Sequence, residues 1–288
     1  MLQEAFVELL RRGATDLPPD VEASLRAAHA REDEGTPAKA VFRTILENVE
    51  MARKDSTPIC QDTGSLIFYI DYPAGGSEKP LREAACAAAE AATRKYYLRP
   101  NAVDPLTGKN SGTNVGINAP FFHFHQWDHP HTRVRVMHKG GGSENVGIQY
   151  RLPDSALGAG RDIKGIRKCI IDAVVKAQGF GCAPGAIGVG IGGDRMTSYL
   201  LSKEQFFRPL GSRSEVTALA ALEEELEAKL NELNIGPMGF GGKTTVLGVL
   251  IGAQHRHPAT FYVAVSYMCW AFRRKTMIIQ DGEVKYED

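Results

Sequence analysis

Cysteine is the residue type most able to carry unusual chemistry in this 288-residue chain, which holds five of them. Cys86 lies in an alanine-rich stretch and Cys169 beside Ile170 and Ile171, so both read as small core thiols on helices. Cys60, Cys182 and Cys269 differ. They occur in ICQDTG, GFGCAPGA and YMCWAFRR, each at a break in periodicity with polar or glycine neighbours. Three thiolates from separate loops could hold one iron–sulfur cluster, and a cluster with three protein ligands keeps one iron open to a substrate. Their wide spacing is not a local metal motif, so three unrelated thiols fit it equally. An odd, scattered set is no disulfide framework and predicts a reducing, cytoplasmic compartment.

Other constellations compete. Gly188, Gly190 and Gly193 match G-x-G-x-x-G, the dinucleotide fingerprint of an oxidoreductase, but that motif needs a strand immediately before it. FGGKTT resembles the end of a phosphate loop, yet Pro237 stands where its first glycine is required. His123, His125, His129 and His131, with Asp128, suggest a zinc-dependent hydrolase, since alternation on a strand puts His123 and His125 on one face. Asp62, two residues from Cys60, and His257, before Pro258, are acid–base candidates. Arg99 follows a helix and is a candidate anion-binding cation, or simply a solvated helix-end charge.

Elements must position these groups. Leu2, Phe6, Leu9 and Leu10 share a helical face. Thr36-Pro37 predicts an N-cap and first turn, with a helix that ends before Pro58 and leaves Cys60 in a loop. Helices are expected at 80–97 and 162–178. A further helix is expected from the Ser212/Glu215 capping box through Leu219, Leu222, Leu226, Leu230 and Leu233. Strands are expected at 65–70, 120–125, 132–138, 245–251, 260–267, 275–280 and 283–286, with Asp281-Gly282 as a hairpin turn. The glycine-rich stretches, 181–193 among them, read as loops.

With 34 basic and 34 acidic residues the net charge is zero, which argues against a nucleic-acid partner. No run approaches the roughly 18 apolar residues of a membrane helix, and the acidic, amphipathic N-terminus is neither a signal nor a transit peptide. The expected fold class is mixed α/β, with helices packed around a mainly antiparallel or mixed sheet.

Together CQDTG (60–64), LRPNAV (98–103), KGGGSEN (139–145), GCAPGAIGVGIGGDR (181–195), IGPMGFGGKTT (235–245) and CWAFRR (269–274) resemble the iron–sulfur-dependent class I fumarate hydratases. Tartrate dehydratase alpha subunits share the outline. The resemblance implies a single cluster-binding domain over 1–288. It implies a [4Fe-4S] cluster on Cys60, Cys182 and Cys269, and dicarboxylate contacts from Gln61, Asp62, Arg99 and Gly141. It implies Asp62 and His257 as an acid–base pair, and reversible hydration of fumarate to (S)-malate, a tricarboxylic acid cycle reaction. L(+)-tartrate and mesaconate are the alternative substrates. Single-chain members continue into a second domain, so the resemblance also implies an alpha subunit whose site is completed by a beta subunit, in an α2β2 assembly.

Overall fold

Alanine and leucine at helical spacing, capped by prolines and aspartates, produce most of the helices. The computed structural model describes residues 1–287. In chain order it comprises α1 (Leu2–Thr15), α2 (Pro19–Arg31), α3 (Pro37–Asp55), β1 (Ser65–Pro73), α4 (Glu78–Arg94), β2 (Phe121–Trp127), β3 (Thr132–Lys139) and α5 (Gly141–Asn145). It continues with β4 (Ile148–Arg151), α6 (Ile163–Ala177), β5 (Gly185–Gly193), α7 (Arg195–Glu204), α8 (Thr217–Asn231), β6 (Val246–Arg256), β7 (Tyr262–Met268), β8 (Arg273–Gln280) and β9 (Glu283–Glu287). Two compact units result: Met1–Pro19 with Glu47–Gly141 and Ala271–Asp288, and Asp20–Leu46 with Gly142–Trp270. None of the described helices is long and apolar enough to cross a membrane.

The first unit carries a five-stranded sheet in the order β2-β1-β3-β8-β9, with β1 and β2 parallel and the other neighbours antiparallel. Phe68 and Ile70, Val134 and Val136, and Met277 alternate onto one face. There they pack on Phe6, Leu9 and Leu10 of α1 and on Ala85, Ala88, Ala89 and Ala92 of α4. Alanine on α4 keeps that helix close to its neighbours, while leucine and phenylalanine on α1 fill the remaining volume.

The second unit carries a four-stranded sheet in the order β4-β7-β5-β6, also mixed, with β5 parallel to β6 and antiparallel to β7. The expected mixed α/β class is thus realised as two mixed sheets with flanking helices. On β5, Ile187, Val189 and Ile191 join Ile166 and Ile170 of α6 and Leu222, Leu226 and Leu230 of α8 in one core. The intervening glycines face α7. A Cβ at Gly188 would overlap the Ser202 carbonyl oxygen, and one at Gly190 the Ser198 carbonyl oxygen. The stretch expected to be a glycine loop is therefore a central strand, whose glycines admit a helix to backbone contact. Gly188 and Gly190 of the G-x-G-x-x-G match here serve packing of α7 on the strand.

The Ser212/Glu215 capping box does not form. The helix starts at Thr217 with Val216 as N-cap, because the Ser214 amide is drawn to the buried Glu223 carboxylate (2.8 Å). A capping box occurs instead at Asp194 and Thr197, opening α7. The second FGGKTT glycine and the residues after it wrap an internal anion. The Lys243 and Thr244 amides donate to the buried Glu32 carboxylate at 2.9 and 3.1 Å.

Candidate functional site

In the first unit, Cys60 and Asp62 lie in the loop that leaves α3 and enters β1. The loop is tied at both sides. The Ile59 amide donates to the Ala14 carbonyl (3.0 Å), and Asn48 Nδ2 to the Ile59 carbonyl (2.8 Å). Beyond Asp62, the buried Thr63 hydroxyl accepts from the Arg99 amide (3.1 Å) and from Asn101 Nδ2 (3.0 Å). Asn114 Nδ2 in turn donates to the Arg99 carbonyl (2.8 Å). Arg99 is thus fixed through its backbone while its side chain is exposed, the arrangement a cation needs to meet an incoming carboxylate.

The Asp62 carboxylate has two backbone donors. Oδ1 accepts from the Gly64 amide (2.9 Å) and Oδ2 from the Gly141 amide (2.7 Å). Gly64 has φ +79, and a Cβ there would collide with the His138–Lys139 backbone, so glycine is required for the loop to lie against β3. Gly141 therefore touches Asp62 directly, and Gln61 beside it is exposed.

In the second unit, Cys182 precedes β5 and Cys269 follows β7. Antiparallel pairing of Ala186 with Met268 brings these strand ends together. The Trp270 amide donates to the Cys182 carbonyl (3.2 Å). Cys182 has φ +56, a left-handed conformation uncommon for cysteine. Near this end of β7, the Tyr267 ring fills the space a side chain at Gly181 or Gly185 would need. Burial, then the nearby Cys269 and Cys182, push its phenol pKa up.

Of the remaining cysteines, Cys86 lies on α4 in the first unit and Cys169 on α6 in the second. Burial pushes the Cys169 thiol up to about 12, and Cys86 rises for the same reason. Both are poor sources of thiolate. No cysteine forms a disulfide. The donor set of Cys60, Cys182 and Cys269 is all thiol, the soft type that iron–sulfur clusters use; two of the three stand at adjacent strand ends.

His257 is elsewhere. It follows β6, which runs parallel to β5, so it stands at the opposite end of the ladder from Cys182 and Cys269. At about 3.3 Å per residue, the nine residues of β5 separate the two ends by roughly 25 Å. The His257 ring is exposed and oriented, its Nδ1 accepting from the Ala259 amide (3.1 Å). With Asp194, Arg195, His255 and Tyr262 it lines a shallow cleft.

The histidine group does not converge as the zinc alternative requires. His123 packs on the Tyr69 ring (4.6 Å between centroids), His125 pairs with Asp71 (3.4 Å), and His129 and His131 pack on Trp127. Among the described residues no three or more His, Cys, Asp or Glu side chains gather closely enough to hold a metal ion. The thiolates of a four-iron cluster each bind a different iron and need no such gathering.

Thr63, Asn101, Asn114 and Tyr267 were not foreseen. Thr63, Asn101 and Asn114 act through side-chain hydrogen bonds in irregular segments, and Tyr267 through ring packing against glycines, none of which leaves a periodicity in a sequence.

Residues 3–278 match the family described as fumarate hydratase (Fumerase). The chain is 49% identical over 276 residues to a putative class I fumarate hydratase of Geobacillus stearothermophilus, covering 95% of this chain but 54% of that protein. It therefore spans about half the length of that relative. It is 34% identical to a putative L(+)-tartrate dehydratase subunit alpha of Methanocaldococcus jannaschii, covering 95% of each chain. Against the L(+)-tartrate dehydratase subunit alpha of Escherichia coli K12 it is also 34% identical, covering 92% of this chain and 86% of that one.

Proposed function

Since the chain belongs to the fumarate hydratase (Fumerase) family, we propose that it is the alpha subunit of a hydro-lyase that reversibly hydrates fumarate to (S)-malate. Residues 1–288 would act as one catalytic domain. The observation that carries this reading is the Asp62 loop: a carboxylate held by two backbone amides, two residues from a thiol and clamped to the backbone of Arg99.

Cys60, Cys182 and Cys269 would hold a [4Fe-4S] cluster, which when bound supplies a Lewis-acidic iron that polarises the carbon–oxygen bond to be made or broken. The chain's own residues do the rest. In malate, the proton on the carbon next to the hydroxyl-bearing one is weakly acidic, and a positioned carboxylate can take it. Asp62 suits that task, because the Gly64 and Gly141 amides fix the direction of its remaining lone pairs. The exposed Arg99 guanidinium suits the substrate's second carboxylate, to which it can donate two parallel bonds. Gln61 supplies an amide donor at the same edge.

His257 would pair with Asp62 from a second copy of the chain. The β5–β6 ladder supports this arrangement, because within one chain it separates His257 from the thiols of Cys182 and Cys269. An α2β2 assembly provides this, with a beta subunit supplying the substrate contacts the alpha chain lacks. Cytoplasmic residence and a place in the tricarboxylic acid cycle follow from the same reading.

L(+)-tartrate is the second reading. It is favoured by the tartrate dehydratase alpha subunits, which this chain matches along nearly their whole length, and mesaconate is a third candidate. A pocket separates such acids by a hydroxyl or a methyl, roughly 1–3 kcal/mol per apolar group. The test is anaerobic purification with the candidate beta partner, followed by turnover of fumarate, tartrate and mesaconate. Replacing Cys60, Cys182 or Cys269 by Ser should each abolish bound iron and sulfide, whereas Cys86→Ser and Cys169→Ser should retain both. Equal tolerance at all five positions would overturn the cluster assignment, and full activity of the alpha chain alone would overturn the split site.

A further inference from the structure

Among the described residues Arg273 is the largest fully buried side chain, 1% exposed. It stands on β8 opposite His138 on β3, on the sheet face that also carries Val134, Val136, Lys275 and Met277. A guanidinium placed among such residues costs several kcal/mol unless its surroundings compensate it. No carboxylate does so among the described residues. Its hydrogen bonds go to two carbonyl oxygens: Nε donates to Ala271 (3.2 Å) and Nη2 to Asp62 (2.8 Å). His138 gives no compensation either. Burial, then the charge of Arg273, lowers its pKa to about 3, so the ring is neutral.

The Asp62 carbonyl belongs to the peptide that leads directly into Thr63 and Gly64. The other anchors of that segment act on Ile59, on the Asp62 side chain, or on Thr63 and Gly64. The Thr63 hydroxyl binds Arg99 and Asn101, and the Gly64 amide binds the Asp62 carboxylate. Arg273 binds the Asp62 carbonyl itself, and its planar fork spans Ala271 and Asp62, which the single ammonium of lysine does not reproduce.

We propose that Arg273 is a positioning residue for Asp62: its buried guanidinium fixes the Asp62–Thr63 peptide and so aims the carboxylate. It touches no substrate. The consequence for turnover rests on the hydro-lyase reading above, whereas the consequence for the loop does not.

The test uses Arg273→Lys and Arg273→Gln in the alpha chain assembled with its beta partner. Amide hydrogen exchange at Gly64 and Arg99 should accelerate by about tenfold, with Val134 and Val136 unchanged, because loss of the anchor frees the loop but not the β3 ladder. With iron and sulfide content at the wild-type level, kcat should fall about 100-fold, the scale of a misplaced group, while KM changes by less than about threefold. In an Asp62→Asn background the same substitutions should lower kcat by no more than about twofold, since Arg273 acts through a carboxylate already removed. Unchanged exchange at Gly64 and Arg99 overturns the proposal. So does an undiminished kcat loss in the Asp62→Asn background, and so does failure of both variants to fold, which assigns Arg273 to structure alone. If the wild-type assembly turns over none of the three acids, the functional reading fails and the exchange result still decides the role of Arg273 in the loop.

Discussion

On β1 and β3 of the five-stranded sheet, alternate residues are large and apolar, and the helices stand off at side-chain distance. On β5 of the four-stranded sheet, the alternate residues facing α7 are glycines, and that helix lies on the strand backbone. Their buried acids differ too. Asp71 of the first sheet binds the part-exposed Arg133 (2.9 Å) and Arg135 (3.2 Å). Glu223 in the second unit is fully buried, receiving Arg208 (2.8 Å) and the amides of Ser214 (2.8 Å) and Ile251 (2.7 Å). Away from Arg273 and His138, the core face of the first sheet is built from apolar side-chain volume. The second is built from backbone contacts that tolerate no extra atom, and it is this second sheet whose strand ends carry Cys182 and Cys269.

That contrast can be broken by substitution. Each unit contains one of the two tryptophans, Trp127 in the first and Trp270 in the second, so Trp127→Phe and Trp270→Phe variants report denaturant unfolding of each separately. The largest effect is expected for Gly190→Val, which drives a side chain into the Ser198 carbonyl and should cost upward of about 5 kcal/mol on the Trp270 signal. Gly116→Ala in the first unit meets only an ordinary contact with Ala102 at 3.7 Å and should change stability by less than about 1 kcal/mol.

Glu223→Ala comes next, at about 3–5 kcal/mol, because it strands Arg208 and two amides. Asp71→Ala should cost about 2 kcal/mol, since its arginines can turn to water.

Acid should then separate the units. Folded His138 takes a proton only near pH 3, whereas the unfolded chain takes one near 6.5. Stability contributed by the neutral ring is therefore present above pH 6.5 and lost progressively as pH falls towards 3. His138→Leu should remove that part of the pH dependence from the Trp127 signal and leave Trp270 alone. The smallest effect is at Glu8, whose carboxyl is held at about 2 by the Arg11 hydrogen bond, with Arg12 adding to it. This stability is present above pH 4.5 and fades between 4.5 and 2; for a part-exposed surface pair it amounts to about 0.5 kcal/mol. Glu8→Gln should abolish it, and so should high salt.

The elements legible in the sequence are those whose neighbours require only apolar volume. The stripes of α1, α3 and α4 and the alternation of β3 sit close to their expected positions. β5 was hidden because its glycines answer to α7, an element with no trace in the local pattern, and the four-residue β4 was too short to register. The Ser212/Glu215 cap failed because Glu223 competed for the Ser214 amide from nine residues away. At the candidate site the same division holds. Cys60 and Asp62 stood out through their loop context, whereas Thr63, Asn101 and Arg273 act through carbonyls and hydroxyls from distant segments.

Composition and periodicity alone determined the mixed α/β class, most helices and strands, and which cysteines sit outside regular core positions, because those properties depend on each residue's own chemistry and its near neighbours. Only the tertiary structure decided that Cys182 and Cys269 end adjacent strands, that His257 lies a strand's length from them, and that a buried guanidinium holds the Asp62 loop. Those facts come from strand direction and pairing register, which are set by contacts between segments far apart in the chain.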